Sequence, residues 1–210
     1  MNPNLPSLVI PTVIEAGPHG ERMYDIFSML LANRIILVGN EINDRTANTT
    51  IAQLLFLSSQ DPEAPIQMYI QSPGGVVYSG LAIYDAMQTV PNPIITVAVG
   101  FTASFGTILL AGGSKGMRYA LPNATIHMHQ VLGGAQGQAT EIEIQAREVL
   151  RLKARTTEIL AKHTGKTVEA ITRDIERDVY LTAEQARDYG LVDQIMTTQE
   201  KINADGRVIA

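Results

Sequence analysis

Ile66-Gln-Met-Tyr-Ile-Gln-Ser-Pro-Gly-Gly75 sets the architecture of this chain. Ile66 to Ile70 read as a strand, with Pro62 and Pro65 breaking the chain before it and the turn formers Ser72-Pro-Gly-Gly75 closing it. A helical stretch runs from about Ser79 to Thr89 and stops at Pro91 and Pro93. The unit then repeats in kind: a strand over Ile94 to Val99, a turn over Gly100 to Ala103, and a helix to about Leu110. Upstream, Arg34 to Val38 is a strand ended by Gly39-Asn40. Asp44 caps a helix that runs to about Ser59, with apolar Ile51, Leu54, Leu55 and Leu57. Strands alternating with helices of this length predict an α/β fold with a parallel sheet built from βαβ crossovers.

Working outward, residues 1–20 are rich in Pro and Gly and read as an arm, with Val13 and Ile14 as a short strand. Tyr24 to Leu31 reads as a helix, and Tyr119 to Leu121 and Ala124 to Met128 as short strands. After Gly137 the character changes. Thr140 to Lys162 has few breakers and is the longest helix expected. Val168 to Arg177 is a helix started by Thr167. Leu181 to Tyr189 is another, with Thr182 as N-cap and Gly190 as its stop, before a last strand over Leu191 to Met196. Without repeats or a linker, residues 1–210 are expected to form one domain with a projecting helix.

The 210 residues are enough to bury a substantial core, and 45% hydrophobic with 18% charged residues is a globular balance. The net charge of -5 and the lack of a basic tract argue against a nucleic-acid partner. The chain has no cysteine, which removes disulfides, thiolate catalysis and cysteine-ligated zinc. The opening residues lack the charged start and apolar core of a signal peptide. Val97 to Gly113 is broken by Gly, Ser and Thr and falls short of the roughly 20 apolar residues of a membrane helix. The expectation is a cytoplasmic protein with no membrane partner.

Loops after parallel strands are where such sheets place their sites. Two stand out: Ser72-Pro-Gly-Gly75, and Gly100-Phe-Thr-Ala-Ser104-Phe-Gly106. Each joins a strand end to a helix start, where free N–H groups suit a developing oxyanion; the plainer reading is glycine-made tight turns. Ser104 is either an N-cap or a nucleophile. Residue 102 is Thr, so the Gly-x-Ser-x-Gly elbow is not met. A serine nucleophile needs a base. His127 and His129, two apart on a strand, share one face, and either fits; a His-x-His metal pair is the rival, without further ligands before Glu141. His19 and His163 are expected in solvent. Asp174 and Asp178 both fit the group that orients the base, and spacing does not choose between them. Ala111-Gly-Gly-Ser-Lys-Gly116 misses the P-loop pattern and Gly133-Gly-Ala-Gln-Gly137 the dinucleotide fingerprint, so no nucleotide site, cofactor or metal is expected.

Taken together the motifs resemble the Clp protease family, from about Leu8 to Met196. The matching blocks are Ser72-Pro-Gly-Gly75, Ala103-Ser104-Phe-Gly106, Leu121-Pro-Asn123, His129-Gln130 with Leu132-Gly-Gly134, Gln136-Gly-Gln-Ala-Thr140 and Tyr189-Gly-Leu-Val-Asp193. The resemblance implies a serine endopeptidase with Ser104 as nucleophile, His129 as base, Asp178 as triad acid, Asp174 as a flanking carboxylate, and the N–H groups of Gly75 and Phe105 as oxyanion hole. It implies a crotonase/ClpP-like fold of stacked βαβ units, with a head (21–132 and 164–196), a protruding helix-strand handle (133–163), an axial arm (1–20) and a tail (197–210). It further implies a homo-oligomer of two stacked heptameric rings, with Gln138, Glu141, Glu176 and Arg177 at the ring interface. A Clp-type ATPase would dock at Tyr69, Val97, Tyr119 and Met196 and feed in unfolded protein substrates.

The sequence departs from the family pattern in places. Phe101-Thr102 and Phe105 stand where the family often has Gln-Ala and Met, and Val131 follows His129-Gln130 in place of Pro. Gln67 occupies a position commonly aromatic. His127 replaces a usually apolar residue and sets a second imidazole on the strand face. Two other readings share the resemblance: a catalytically silent ring subunit, and a crotonase-type acyl-CoA enzyme. The handle residues Ile142, Ile144, Ala146, Val149, Leu150 and Leu152 form an apolar face that needs a partner, which also predicts oligomerisation.

Overall fold

The computed structural model describes residues 10–17, 20–196, 201–202 and 208–209. A hairpin of β1 (Thr12–Gly17) and β2 (Gly20–Asp25) opens the described chain and leads into α1 (Ile26–Ala32). The described part of the arm holds the first strand of this pair, around the expected Val13 and Ile14, and the helix expected from Tyr24 begins only at Ile26, because Tyr24 pairs with Val13 and Asp25 caps α1 through the N–H groups of Phe27 and Ser28. His19 and most of the tail lie outside the described residues.

The head is a five-stranded, all-parallel sheet in the order β10-β7-β5-β4-β3, formed by β3 (Ile35–Val38), β4 (Ile66–Ile70), β5 (Ile94–Ala98), β7 (Arg118–Ala120) and β10 (Gln194–Ile195). The βαβ expectation holds, with α2 (Asp44–Gln60) between β3 and β4 and α3 (Val77–Thr89) between β4 and β5. Asn43, not Asp44, caps α2, while Asp44 accepts a hydrogen bond from Ser79 Oγ at 2.6 Å. Central β5 is buried along its whole length, as a strand covered on both faces must be. β4 alternates instead: Ile66, Met68 and Ile70 enter the main core, each fully buried and contributing about 1.5–3 kcal/mol. Tyr69, on the other side, packs on a second cluster of Ile95, Val97, Tyr119 and Met196.

A second sheet carries the site: β6 (Phe101–Ala103), β8 (Thr125–Met128) and β9 (Val179–Leu181), ordered β6-β8-β9, the first pair parallel and the second antiparallel. β6 replaces the turn expected over Gly100 to Ala103, and β9 takes the start of the helix expected from Leu181. Each has only three residues and is held by its neighbours, so no periodicity announces it. Between β6 and β8 lies α4 (Phe105–Ala111). The long α5 (Ala139–Thr164) is exposed from Ala139 to Arg147, and is buried at Leu152, Thr156, Thr157, Ile159, Leu160 and Ala161. α6 (Val168–Asp174) ends three residues before the expected Arg177, and α7 (Ala183–Tyr189) is capped by Thr182 as expected. Arg118 and Asp193 clamp β7 to β10 through Nη2–Oδ1 at 2.6 Å and Nε–Oδ2 at 2.9 Å. No described helix is long and apolar enough to cross a membrane.

Candidate active site

The two loops singled out in the sequence touch each other. After β4 the chain turns through Ser72, whose Oγ donates to Asn40 O at 2.6 Å and accepts from the Gly74 N–H at 3.2 Å. Gly74 has φ +88°, and a Cβ there would stand 2.5 Å from the Cβ of Ser104. Gly75 has φ +150°, and its Cβ would meet the Ile42 carbonyl at 2.1 Å. Only glycine fits either position. Ile42 donates its N–H to Gly74 O and accepts from the Val76 N–H, forming an isolated parallel bridge with Gly75. In that pattern the Gly75 N–H faces away from Ile42.

The second loop is braced from three sides. The Ala103 N–H donates to Ser72 O at 2.8 Å, Thr102 Oγ1 donates to Ile70 O at 2.7 Å, and the Ser104 N–H donates to His127 O at 3.0 Å. Thr107 Oγ1 donates to the same His127 carbonyl at 2.8 Å. Ser104 itself has φ 54° and ψ -122°, a left-handed setting that costs a non-glycine residue about 1–3 kcal/mol. Ser104 does occupy the N-cap position of α4, but its hydroxyl makes no capping bond there. The strain is held by the surrounding hydrogen bonds, and it turns a serine at the start of a helix into an unoccupied hydroxyl.

Ser104, His129, Gly75 and Phe105 line one cleft of about 260 Å³. Much of the rest of the lining is apolar, including Val77, Ile108, Leu132 and Leu160. Phe105 begins α4, where the first N–H groups have no partner inside the helix. His129 is half-buried. Burial foremost, and then the neighbouring His127, lower its pKa below the ordinary histidine value, while Asp178 opposes them. A neutral imidazole at neutral pH is what a general base requires.

Asp178 does not hydrogen-bond His129 here. His127 Nε2 donates to Asp178 Oδ1 at 3.2 Å. His127 and His129 do share one strand face, as their spacing predicts, with ring centroids 5.2 Å apart. Asp174 accepts a hydrogen bond from Tyr189 Oη at 2.9 Å. His163, expected in solvent, is half-buried and within 2.8 Å of Tyr84 Oη; burial first, then Lys162 and Arg118, depress it to about 4.

The remaining expected residues fall in separate places. Gln138 and Glu141 form the capping box of α5. Glu176 and Arg177 are exposed between α6 and β9, with Glu176 3.7 Å from Lys153. Tyr69, Val97, Tyr119 and Met196 gather in the second cluster of the head sheet. Sequence reading missed Lys153, which donates to Gln130 Oε1 at 2.6 Å and so ties α5 to the residue after His129. No local pattern marks a lysine in a charged helix for that task.

A serine with a free hydroxyl, a neutral histidine and outward N–H groups in one cleft define a hydrolase site of the serine class. The comparisons with known proteins agree. The Clp protease family model matches residues 18–199. The ATP-dependent Clp protease proteolytic subunits of Dehalococcoides mccartyi strains BAV1 and 195 are each 55% identical over 195 residues, covering 93% of this chain and 98% of the relative. The chain belongs to the Clp protease family. It is a serine-type peptidase, the proteolytic subunit of a Clp protease.

Proposed function

We propose that the chain cleaves unfolded polypeptides by a Ser-His-Asp acyl-enzyme mechanism. Ser104 attacks the peptide carbonyl, His129 takes its proton, and the N–H groups of Gly75 and Phe105 bind the oxyanion. His129 then gives the proton to the leaving amine and activates the water that releases the acyl-enzyme, while Asp178 stabilises the imidazolium. The observation that carries this reading is Ser104, held at φ 54° without a capping bond and sharing its cleft with His129. The apolar lining of that cleft favours substrates with an apolar side chain beside the scissile bond.

The Clp family implies a homo-oligomeric protease that works with a Clp ATPase. The finer arrangement is our reading: residues 1–210 as one protease domain, two stacked heptameric rings joined through the handles, and an ATPase seated over Tyr69, Val97, Tyr119 and Met196, in the cytoplasm. The exposed Ile142, Ile144 and Leu150 support the handle contact, and the gathering of Tyr69, Val97, Tyr119 and Met196 on one side of the head sheet supports the docking site.

The test is fluorophosphonate labelling of the purified high-mass protein with peptide mapping by mass spectrometry. A rapid adduct on Ser104 that is lost in His129→Ala is the expected result. An assembled ring without the adduct would instead mark a silent subunit.

A further inference from the structure

His127 stands out once the site is assembled. Its ring is buried, with 11% of the side chain exposed, whereas the Asp178 side chain is 66% exposed. A carboxylate only accepts hydrogen bonds, so the proton of this pair lies on His127 Nε2. The donor is therefore fixed and the acceptor, left alone, would be free in water. Tyr180 lies 4.4 Å from the His127 ring centre on one strand, Phe101 lies 6.0 Å away on another, and His129 stacks at 5.2 Å. The His127 carbonyl meanwhile receives the Ser104 N–H. One residue thus contacts the nucleophile's backbone, the base's ring and the carboxylate.

Register explains why the carboxylate has two suitors. In the β8–β9 pair His127 faces Tyr180 and Met128 faces Val179. His129 is the residue after the end of β8 and Asp178 the residue before the start of β9. The carboxylate is bonded to one imidazole, acts electrostatically on the other, and has two oxygens. Oδ1 is held by His127.

We propose that His127 is a positioning residue for the triad: it anchors Oδ1 of Asp178 so that Oδ2 is presented to His129. The inference rests on the triad reading above. It gives a job to a side chain that no catalytic step uses. A rigid, buried donor removes conformational freedom from an exposed carboxylate before the imidazolium forms, and the acid is oriented without an entropic cost in the reaction itself.

The experiment compares His127→Phe, which keeps a stacking ring and loses the donor, with His127→Gln, which keeps an N–H donor. Both are made in the full chain and in an Asp178→Asn background. Hydrolysis of a short fluorogenic peptide and fluorophosphonate labelling are measured on the assembled protein. His127→Phe should lower kcat about tenfold with KM nearly unchanged, and His127→Gln should recover most of the loss. In Asp178→Asn, adding His127→Phe should change kcat by less than about twofold, because the anchored side chain then has no carboxylate to present to His129. A generally destabilising substitution would lower both backgrounds alike, which would overturn the proposal. So would wild-type or faster turnover in His127→Phe, the latter meaning that His127 withholds Asp178. An adduct on Ser104 that needs His129 while His127→Phe has no effect sinks this proposal alone; no adduct on the wild-type chain sinks both.

Discussion

The loops around Ser104 and the first half of α5 are built on opposite terms. At the loops, a single added methyl on Gly74 or Gly75 would lie within 2.5 Å or 2.1 Å of other atoms of the chain. In the first half of α5, Ile142 is 41%, Ile144 54% and Leu150 63% exposed, on a helix whose second half buries one face. One region is braced by the chain's own hydrogen bonds and carries backbone strain at Ser104. The other shows apolar surface that a lone chain in water would not keep bare. The chain therefore shapes its own site but leaves its assembly to another copy.

Breaking the closed region should have the largest effect. Ser104→Ala should cut peptide hydrolysis by about 10⁴-fold or more in a fluorogenic assay, with an unchanged thermal midpoint, since the backbone bonds to His127 remain. Gly74→Ala pushes a methyl into Ser104 at a positive φ and should lower kcat by about 100-fold, while the native mass stays that of the wild type. Breaking the open region should do the reverse. If the proposed rings stack through the handles, the double change Ile144→Glu and Leu150→Glu should reduce the native mass to roughly half, with head stability held. A head that unfolds along with the mass change would mean the two regions are not separable.

The finest effect lies in pH. His129 must be neutral to act, and its pKa is lowered, so the acid limb of kcat/KM should fall below the pH an ordinary histidine would give. Asp178 favours the charged form, so Asp178→Asn should move that limb to still lower pH in a labelling-rate profile. An upward move would show that Asp178 does not act on His129.

Much of the head was legible because its signals are local. β4 is found at the expected residues, and the ends of α2, β5 and α4 lie within one or two positions of expectation. The strand around Val13 and Ile14 was legible but its partner β2 was not, and β6 and β9 were missed because three-residue strands take their conformation from partners distant in sequence. Asn43 took the cap from Asp44 because Thr46 completes a reciprocal pair with it.

The same division runs through the site. The sequence by itself determined the parallel head, the two strand-to-helix loops, the shared face of His127 and His129, and, through the family motifs, which serine to watch. Its local patterns of period, breaker and glycine reach only a few residues along the chain. Only the tertiary structure decided that Ser104 is strained and uncapped, that His163 is half-buried, and that Asp178 meets His127, 51 residues away. Those outcomes depend on register between strands and on which side chains compete for the same space, and neither is written in any local stretch.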